Sequence, residues 1–129
     1  MAKKISNRLM ERRKYIRLRA PINISYTIPE TGKTCATVTK DISADGLRFE
    51  THDNDLKESG VIELRMEIPG APNPVHAKGK IIWKKKLSLE DSAPFTIGIE
   101  FYEIEEDNKN TFLKFLCDLI YNMQKGEGS

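Results

Sequence analysis

Residues 16–28 read IRLRAPINISYTI. Every even-numbered residue of this stretch is apolar, from Ile16 to Ile28, whereas the odd-numbered residues are polar or charged except for Pro21. Because side chains on a strand point alternately to its two faces, this period of two predicts a β-strand with one buried face. Pro21 has no backbone N–H, so we expect the pairing to be interrupted there, or the strand to lie at an edge.

Five further segments have strand-like patterns, at about 34–42, 47–51, 62–68, 75–85 and 95–104. Turn sequences connect the first three strands, PETG at 29–32 and SADG at 43–46. The expected inward residues are Ala36, Val38 and Ile42 in the second strand, and Ala77, Gly79, Ile81 and Trp83 in the fifth. Six short strands joined by short connections predict a mainly β fold, a small antiparallel barrel that is closed or nearly closed.

The period changes after residue 106. Phe112, Leu116, Leu119 and Met123 follow a helical spacing, which predicts one C-terminal helix at about 107–124. Asp107 is expected to cap its N-terminus and Gly126 to end it. The apolar stripe of this helix must be buried against the barrel or against a partner.

The charge is distributed unevenly along the chain. Of its 129 residues 31% are charged and 39% hydrophobic, which is typical of one soluble globular domain. Residues 1–19 contain eight Lys or Arg and one acid, a charge of +7, so the other 110 residues sum to −5. This asymmetry indicates that the N-terminal arm meets something anionic. We therefore predict a flexible basic arm at 1–11, a single domain at 12–125 and a short tail at 126–129.

Several classes of protein are disfavoured by the sequence. No apolar run is long enough for a membrane helix, and no secretory signal follows Met1, so we expect no membrane insertion. Cys35 and Cys117 lie far apart and are interpreted as reduced thiols of a cytoplasmic protein. His52 and His76 have neither metal-site spacing nor a neighbouring nucleophile. We therefore expect a binding module without catalytic residues, metal or cofactor.

Two short motifs carry the chemistry. Residues 12–17 read RRKYIR, an RRxxxR pattern, and residues 41–46 read DISADG, a DxSxxG pattern. An arginine fork matches guanine O6 and N7 and also phosphate. A carboxylate such as Asp41 accepts hydrogen bonds, which suits the N1–H and N2–H donors of guanine. Together the motifs favour a ligand with both guanine and phosphate. Taken alone, the RRxxxR motif could belong to a disordered basic tail, and the DxSxxG motif could be a simple turn.

The chain resembles the PilZ domain, the bacterial receptor for cyclic di-GMP. The resemblance lies in the two motifs, in their order along the chain, and in the six strands followed by one helix. The resemblance extends over about residues 10–120 and includes the segments 79–83 and 97–101, which look like the later strands of the family. It implies a six-stranded antiparallel PilZ-type β-barrel with a helix beside it.

The resemblance also implies ligand-binding roles, for Arg12, Arg13, Arg17, Asp41, Ser43 and Gly46. Arg13 and Arg17 would grip guanine and phosphate, Asp41 a guanine edge and Ser43 a phosphate, and Gly46 would shape the turn. Arg12 matches an additional arginine of family members that tend to bind an intercalated dimer of cyclic di-GMP. Trp83 is a further candidate, although its inward position in the strand pattern favours packing in the core.

The function implied is that of a cyclic di-GMP receptor or adaptor that orders its N-terminal arm on binding and signals to a protein partner. One alternative is a small basic-armed barrel that binds single-stranded nucleic acid. The inward aromatic positions and the acidic charge of residues 20–129 weigh against it, so no nucleic acid is expected. A second alternative is a PilZ-like interaction module without ligand binding, which the intact motif residues disfavour.

Overall fold

The structure is a computed structural model that describes residues 16–128, with the side chains of 106–109 and 124–128 excepted. It contains seven strands and one helix in this range. These are β1 (Leu18–Arg19), β2 (Asn23–Ile28), β3 (Lys33–Ser43), β4 (Gly46–Thr51), β5 (Val61–Met66), β6 (Val75–Lys86), β7 (Phe95–Ile104) and α1 (Glu106–Gly128).

Six of the strands form a closed barrel. The order is β3-β2-β5-β6-β7-β4, and pairing of β4 back to β3 closes the ring. Every pairing is antiparallel, as expected of strands joined by short turns. The predicted fold class is therefore confirmed, with β1 as one strand in addition.

The predicted first strand is divided at Pro21, as its sequence indicates. β1 and β2 both pair with β3, through Leu18 opposite Ile42 and Asn23 opposite Val38. The buried Thr39 side chain bridges the break between them. Its hydroxyl donates to the Ala20 carbonyl and accepts the Ile22 N–H at 3.0 Å. One threonine thus satisfies the backbone groups that Pro21 prevents from joining the ladder.

The core fills the barrel and continues under the helix. Tyr26 and Phe49 are fully buried and stack with ring centroids 5.2 Å apart. Phe112 of α1 is also fully buried and meets Phe101 edge-on at 5.5 Å, so the helix covers one end of the barrel. This helix begins at Glu106, and Asp107 is its second residue rather than its cap. It runs past Gly126 to Gly128, so the predicted stop is wrong, because glycine permits a helix end without enforcing one.

Three register shifts interrupt the pairing of the barrel strands, one of them at Tyr102 of β7. The other two change which of the predicted residues point inward. An extra residue, Lys40, interrupts the register of β3 with β4, and Ile82 interrupts that of β6 with β7. Before the Lys40 bulge the inward side chains of β3 have odd numbers, and after it Ile42 is buried. The prediction that Ala36 and Val38 face the core is therefore wrong: both are exposed.

A hydrogen-bonded network lies at the end of the barrel opposite the helix. The Tyr26 hydroxyl donates to Asp53 Oδ2 at 2.8 Å, and Lys33 Nζ lies 3.1 Å from Asp53 Oδ1 and 2.9 Å from Asp55 Oδ2. Burial alone would raise the pKa of Asp53, but hydrogen bonds from the Asp55 N–H, Tyr26 and Lys33 together lower it. Burial raises the pKa of Tyr26, which therefore stays a neutral donor.

No helix in residues 16–128 is long and apolar enough to cross a membrane. Cys35 and Cys117 are both free thiols.

Candidate ligand-binding site

A small groove lies on the outer wall of the barrel where the β3–β4 turn meets β7. It is lined by Arg17, Ser43, Asp45, Gly46, Leu47, Ile82, Gly98, Ile99 and Glu100. Three of the predicted binding residues are among them, and Asp41 is linked to one of these, Arg17, by an ion pair. Arg12 and Arg13 lie outside the described residues. The structure thus brings the second half of the RRxxxR motif and the DxSxxG motif to one surface.

Asp41 is held by two arginines. Arg48 Nε lies 2.8 Å from Asp41 Oδ2, and Arg17 Nη1 lies 3.4 Å from Oδ1. The Lys40 bulge creates the first contact, because it pairs Asp41 with Arg48 across the β3–β4 ladder. The Asp41 side chain is 14% exposed and that of Arg17 59%, so the pair with Arg17 is open to solvent and weak. Each carboxylate oxygen keeps a free lone pair for further donors.

Ser43 is built into the turn that carries it. Its hydroxyl donates to the Asp45 carboxylate and accepts the Asp45 N–H at 3.4 Å, and the residue is buried. Ser43 and Gly46 pair across the turn, which leaves Ala44 and Asp45 as its two-residue tip. To donate to a phosphate, the Ser43 hydroxyl would have to give up its hydrogen bond to the Asp45 carboxylate. Asp45 is therefore a site residue that the sequence did not single out.

Gly46 is required by the approach of a neighbouring strand. It pairs with Glu100 of β7, and a Cβ at this position would collide with the Ile99 carbonyl. Its backbone does not have a positive φ, so the turn alone would tolerate other residues. Gly46 thus lets β4 and β7 meet behind the groove.

Trp83 lies on the outer wall, so its predicted place in the core is wrong. The Ile82 bulge shifts the register by one, which pairs Trp83 with Gly98 instead of with Ile97. The indole covers Gly98 so closely that a Cβ there would collide with it. Because Gly98 also lines the groove, Trp83 borders the candidate site and is half-buried. Its ring is therefore partly exposed beside the groove instead of packed in the core.

The groove is open and shallow. It encloses about 30 Å³, whereas sites that bury a drug-sized ligand hold roughly 300–1,000 Å³. A ligand larger than this volume would lie across the wall rather than inside the groove. The available groups are an arginine, the hydrogen-bonding turn, a carboxylate and an aromatic face, which can bind a ligand through hydrogen bonds, charge and stacking. In the described part of the chain, no group of His, Cys, Asp or Glu side chains is arranged to hold a metal ion.

The comparisons with known proteins agree with this fold. The PilZ domain family model matches residues 11–117. No curated protein matches the sequence.

Three solved structures illustrate the structural likeness. The PilZ domain with c-di-GMP of YcgR from Escherichia coli has a TM-score of 0.68 at 13% identity, covering 92% of this chain and 98% of that one. The K. pneumonia MrkH–c-di-GMP complex has a TM-score of 0.69 at 18% identity, and the match covers 87% of this chain and 53% of MrkH. The Bacillus subtilis inhibitor of motility MotI has a TM-score of 0.64 at 14% identity, and the match covers 90% of this chain and 52% of MotI. The chain therefore spans about half the length of MotI and MrkH.

Proposed function

The chain belongs to the PilZ domain family, and from this premise we propose that it is a receptor for cyclic di-GMP without enzymatic activity. The observation that carries the proposal is the convergence of Arg17, Asp41, Ser43 and Gly46 on one face of the barrel, from motifs about 25 residues apart in the sequence. Two of the structurally similar proteins, YcgR and MrkH, were solved with this ligand.

Each residue has a role that its chemistry supports. Arg17, together with Arg13 of the arm, would bind guanine O6 and N7 or a phosphate, because its side chain is mostly exposed. Asp41 would accept N1–H and N2–H of guanine while Arg48 keeps its carboxylate oriented. Ser43 would exchange Asp45 for a phosphate oxygen. Trp83 offers a partly exposed ring beside Gly98 for a purine.

The arm completes the proposed site. Arg12 and Arg13 would cover a ligand that the open groove leaves exposed, and with Arg12 present two stacked cyclic di-GMP molecules bind per chain. The ordered arm then forms a new surface that a cytoplasmic protein partner recognises. The acceptance of an anionic ligand agrees with the +7 charge of residues 1–19.

Calorimetric titration with cyclic di-GMP and cyclic di-AMP tests the proposal. We expect binding of the first and a strong preference over the second. Adenine presents an amino donor in place of the O6 acceptor and lacks the N1–H and N2–H pair, and each mismatched bidentate contact costs roughly 1–3 kcal/mol. Equal affinities would contradict the roles of Arg17 and Asp41. No binding of either would favour an interaction module that has lost the ligand.

The nucleic-acid alternative is tested with the same protein. Single-stranded DNA titrated at two salt concentrations should show affinity that falls steeply with salt if phosphate contacts dominate. Tight binding of this kind, without binding of cyclic di-GMP, would replace the proposed function.

A further inference from the structure

The β6–β7 hairpin projects apolar side chains into solvent beyond the barrel. Its tip has Leu89 fully exposed and Leu87 47% exposed. The tip is internally ordered, because the Leu87 N–H donates to the Pro94 carbonyl at 3.0 Å and the Glu90 N–H to Ser88 Oγ at 3.2 Å. Burying a leucine away from water is favourable, so the exposed Leu87 and Leu89 contribute little to the stability of the isolated chain.

The strand that leads to this tip is strongly basic. Residues 76–89 contain five lysines and no acid. Lys84 is used inside the fold, where its Nζ donates to the Leu56 carbonyl at 2.8 Å and to Asn54 Oδ1 at 2.9 Å. Lys85 and Lys86 are exposed, and the ion pairs found among the described residues include neither of them. Lys86 Nζ donates to the Asp91 carbonyl at 3.4 Å, a contact within the same hairpin. We call Lys85, Lys86, Leu87 and Leu89 the hairpin tip.

We propose that the hairpin tip is a docking site for an anionic lipid bilayer. Two leucines at a projecting turn can enter the boundary between headgroups and acyl chains while the lysines just behind them meet the anionic headgroups. This is attachment to a membrane surface and needs no spanning segment.

The geometry favours a bilayer over another protein. A specific protein interface buries about 800 Å² on each partner. Two leucines of one turn and the two lysines at the end of β6 before it do not supply that area. Nucleic acid would use the lysines but has no use for a fully exposed leucine. Binding to a bilayer requires only apolar side chains that reach below the headgroups and basic side chains that contact them. One such signal gives weak, reversible binding.

The acids beside the tip sharpen the test. Glu90 and Asp91 follow Leu89 directly and would approach the same anionic surface. Glu90→Gln with Asp91→Asn should therefore strengthen vesicle binding. If the turn does not contact the membrane, the same double substitution should leave vesicle binding unchanged.

The experiment is co-sedimentation of the full chain with vesicles of phosphatidylglycerol and phosphatidylethanolamine, compared with phosphatidylcholine vesicles. We expect binding to the anionic vesicles that falls at least tenfold in Leu87→Ser/Leu89→Ser and in Lys85→Glu/Lys86→Glu. The matched controls are Leu113→Ser/Tyr121→Ser, which alters exposed apolar residues of α1, and Lys57→Glu/Lys114→Glu, which makes the same charge change elsewhere. Both should bind like the parent.

Three outcomes would overturn the proposal. They are failure of the parent to bind anionic vesicles, unchanged binding by the Leu87/Leu89 variant, and a loss of the same size in the controls. DNA binding that needs only the lysines, without vesicle binding, would instead assign the tip to nucleic acid. The tip variants are also titrated with cyclic di-GMP, and their affinity for it should equal that of the parent. The membrane proposal is thereby tested separately from the function proposed for the groove, on which it does not depend.

Discussion

Asp41 connects the candidate groove to the barrel wall. Each of its two oxygens contacts a different arginine, Oδ2 contacting Arg48 at 2.8 Å and Oδ1 contacting Arg17 at 3.4 Å. The two arginines differ in setting, because the Arg48 side chain is 32% exposed and that of Arg17 59%. We interpret Arg48 as a positioning residue and Arg17 as a ligand-binding residue.

This distinction predicts different effects of substitution. Arg17→Ala and Asp41→Ala should each weaken cyclic di-GMP binding tenfold or more, about 1.4 kcal/mol per factor of ten. Arg48→Ala should weaken it less, because guanine contacts remain but the carboxylate is free to rotate, and Arg48→Lys should restore part of the loss. Calorimetry measures the affinities. The thermal midpoint of free Arg17→Ala should change little, because this exposed polar side chain contributes about 0.5 kcal/mol or less. The midpoint of free Asp41→Ala should fall further, because the Asp41 carboxylate is only 14% exposed and Arg48 loses its partner.

Arg65→Ala is the matched control, since Arg65 is an exposed arginine of β5 that does not line the groove. A loss of affinity in this variant equal to that of Arg17→Ala would show that net charge alone, rather than the groove, binds the ligand.

Asp53 predicts the response of stability to acid. Its side chain is 5% exposed, and its pKa is lowered in the folded state despite burial. A lowered folded-state pKa contributes stability above the unfolded pKa of about 3.9, and this is lost as the pH falls through the folded value. The free energy of unfolding of the parent should therefore drop below about pH 4, and Asp53→Asn should drop less there.

At neutral pH the same variant should be less stable by about 1–3 kcal/mol, because Tyr26 and Lys33 lose a charged acceptor. Urea unfolding at a series of pH values measures both effects. Asp55→Asn is the control, since its carboxylate is 59% exposed and a small effect is expected. Identical pH profiles for the parent and Asp53→Asn would contradict this role.

At the scale of elements, the break between β1 and β2 depends on one side chain. Thr39 contacts the Ala20 carbonyl and the Ile22 N–H from within the core. Thr39→Val keeps the shape but leaves both backbone groups without their partner. Each buried group left unsatisfied costs about 1–3 kcal/mol, so we expect a large loss of stability in chemical denaturation. Thr34→Val on the exposed face of the same strand should cost much less, and equal costs would contradict the bridging role.

The elements also show what the sequence could and could not predict. Alternating apolar residues located all six barrel strands, and Pro21 marked the break in the first, because both signals are local. The bulges at Lys40 and Ile82 arise from pairing with distant strands and have no local signature. They therefore reversed the predicted faces of Val38 and Trp83. Arg48 was missed for the same reason, because only the register opposite Asp41 distinguishes it from a solvated arginine.

At the scale of the whole molecule, the ligand and the arm are expected to complete each other. The described groove encloses about 30 Å³, too little to bury a dinucleotide. The chain outside the described residues includes Arg12 and Arg13, in a segment where positive charges repel one another until an anion arrives. Binding of cyclic di-GMP should therefore bring residues 1–15 onto the barrel wall over the groove.

Arg12 sets the expected stoichiometry. Two stacked cyclic di-GMP molecules carry four phosphate charges, which Arg12, Arg13 and Arg17 together would largely offset while their planar groups stack on purines. We expect two ligands per chain in the parent and one in Arg12→Leu, measured by calorimetry, with slower amide exchange in residues 1–20 when ligand is present. A stoichiometry of one in the parent would contradict only the role of Arg12. Equal protection of the arm with and without ligand would contradict the switch even if binding is observed, because a partner could then not distinguish the two states through the arm.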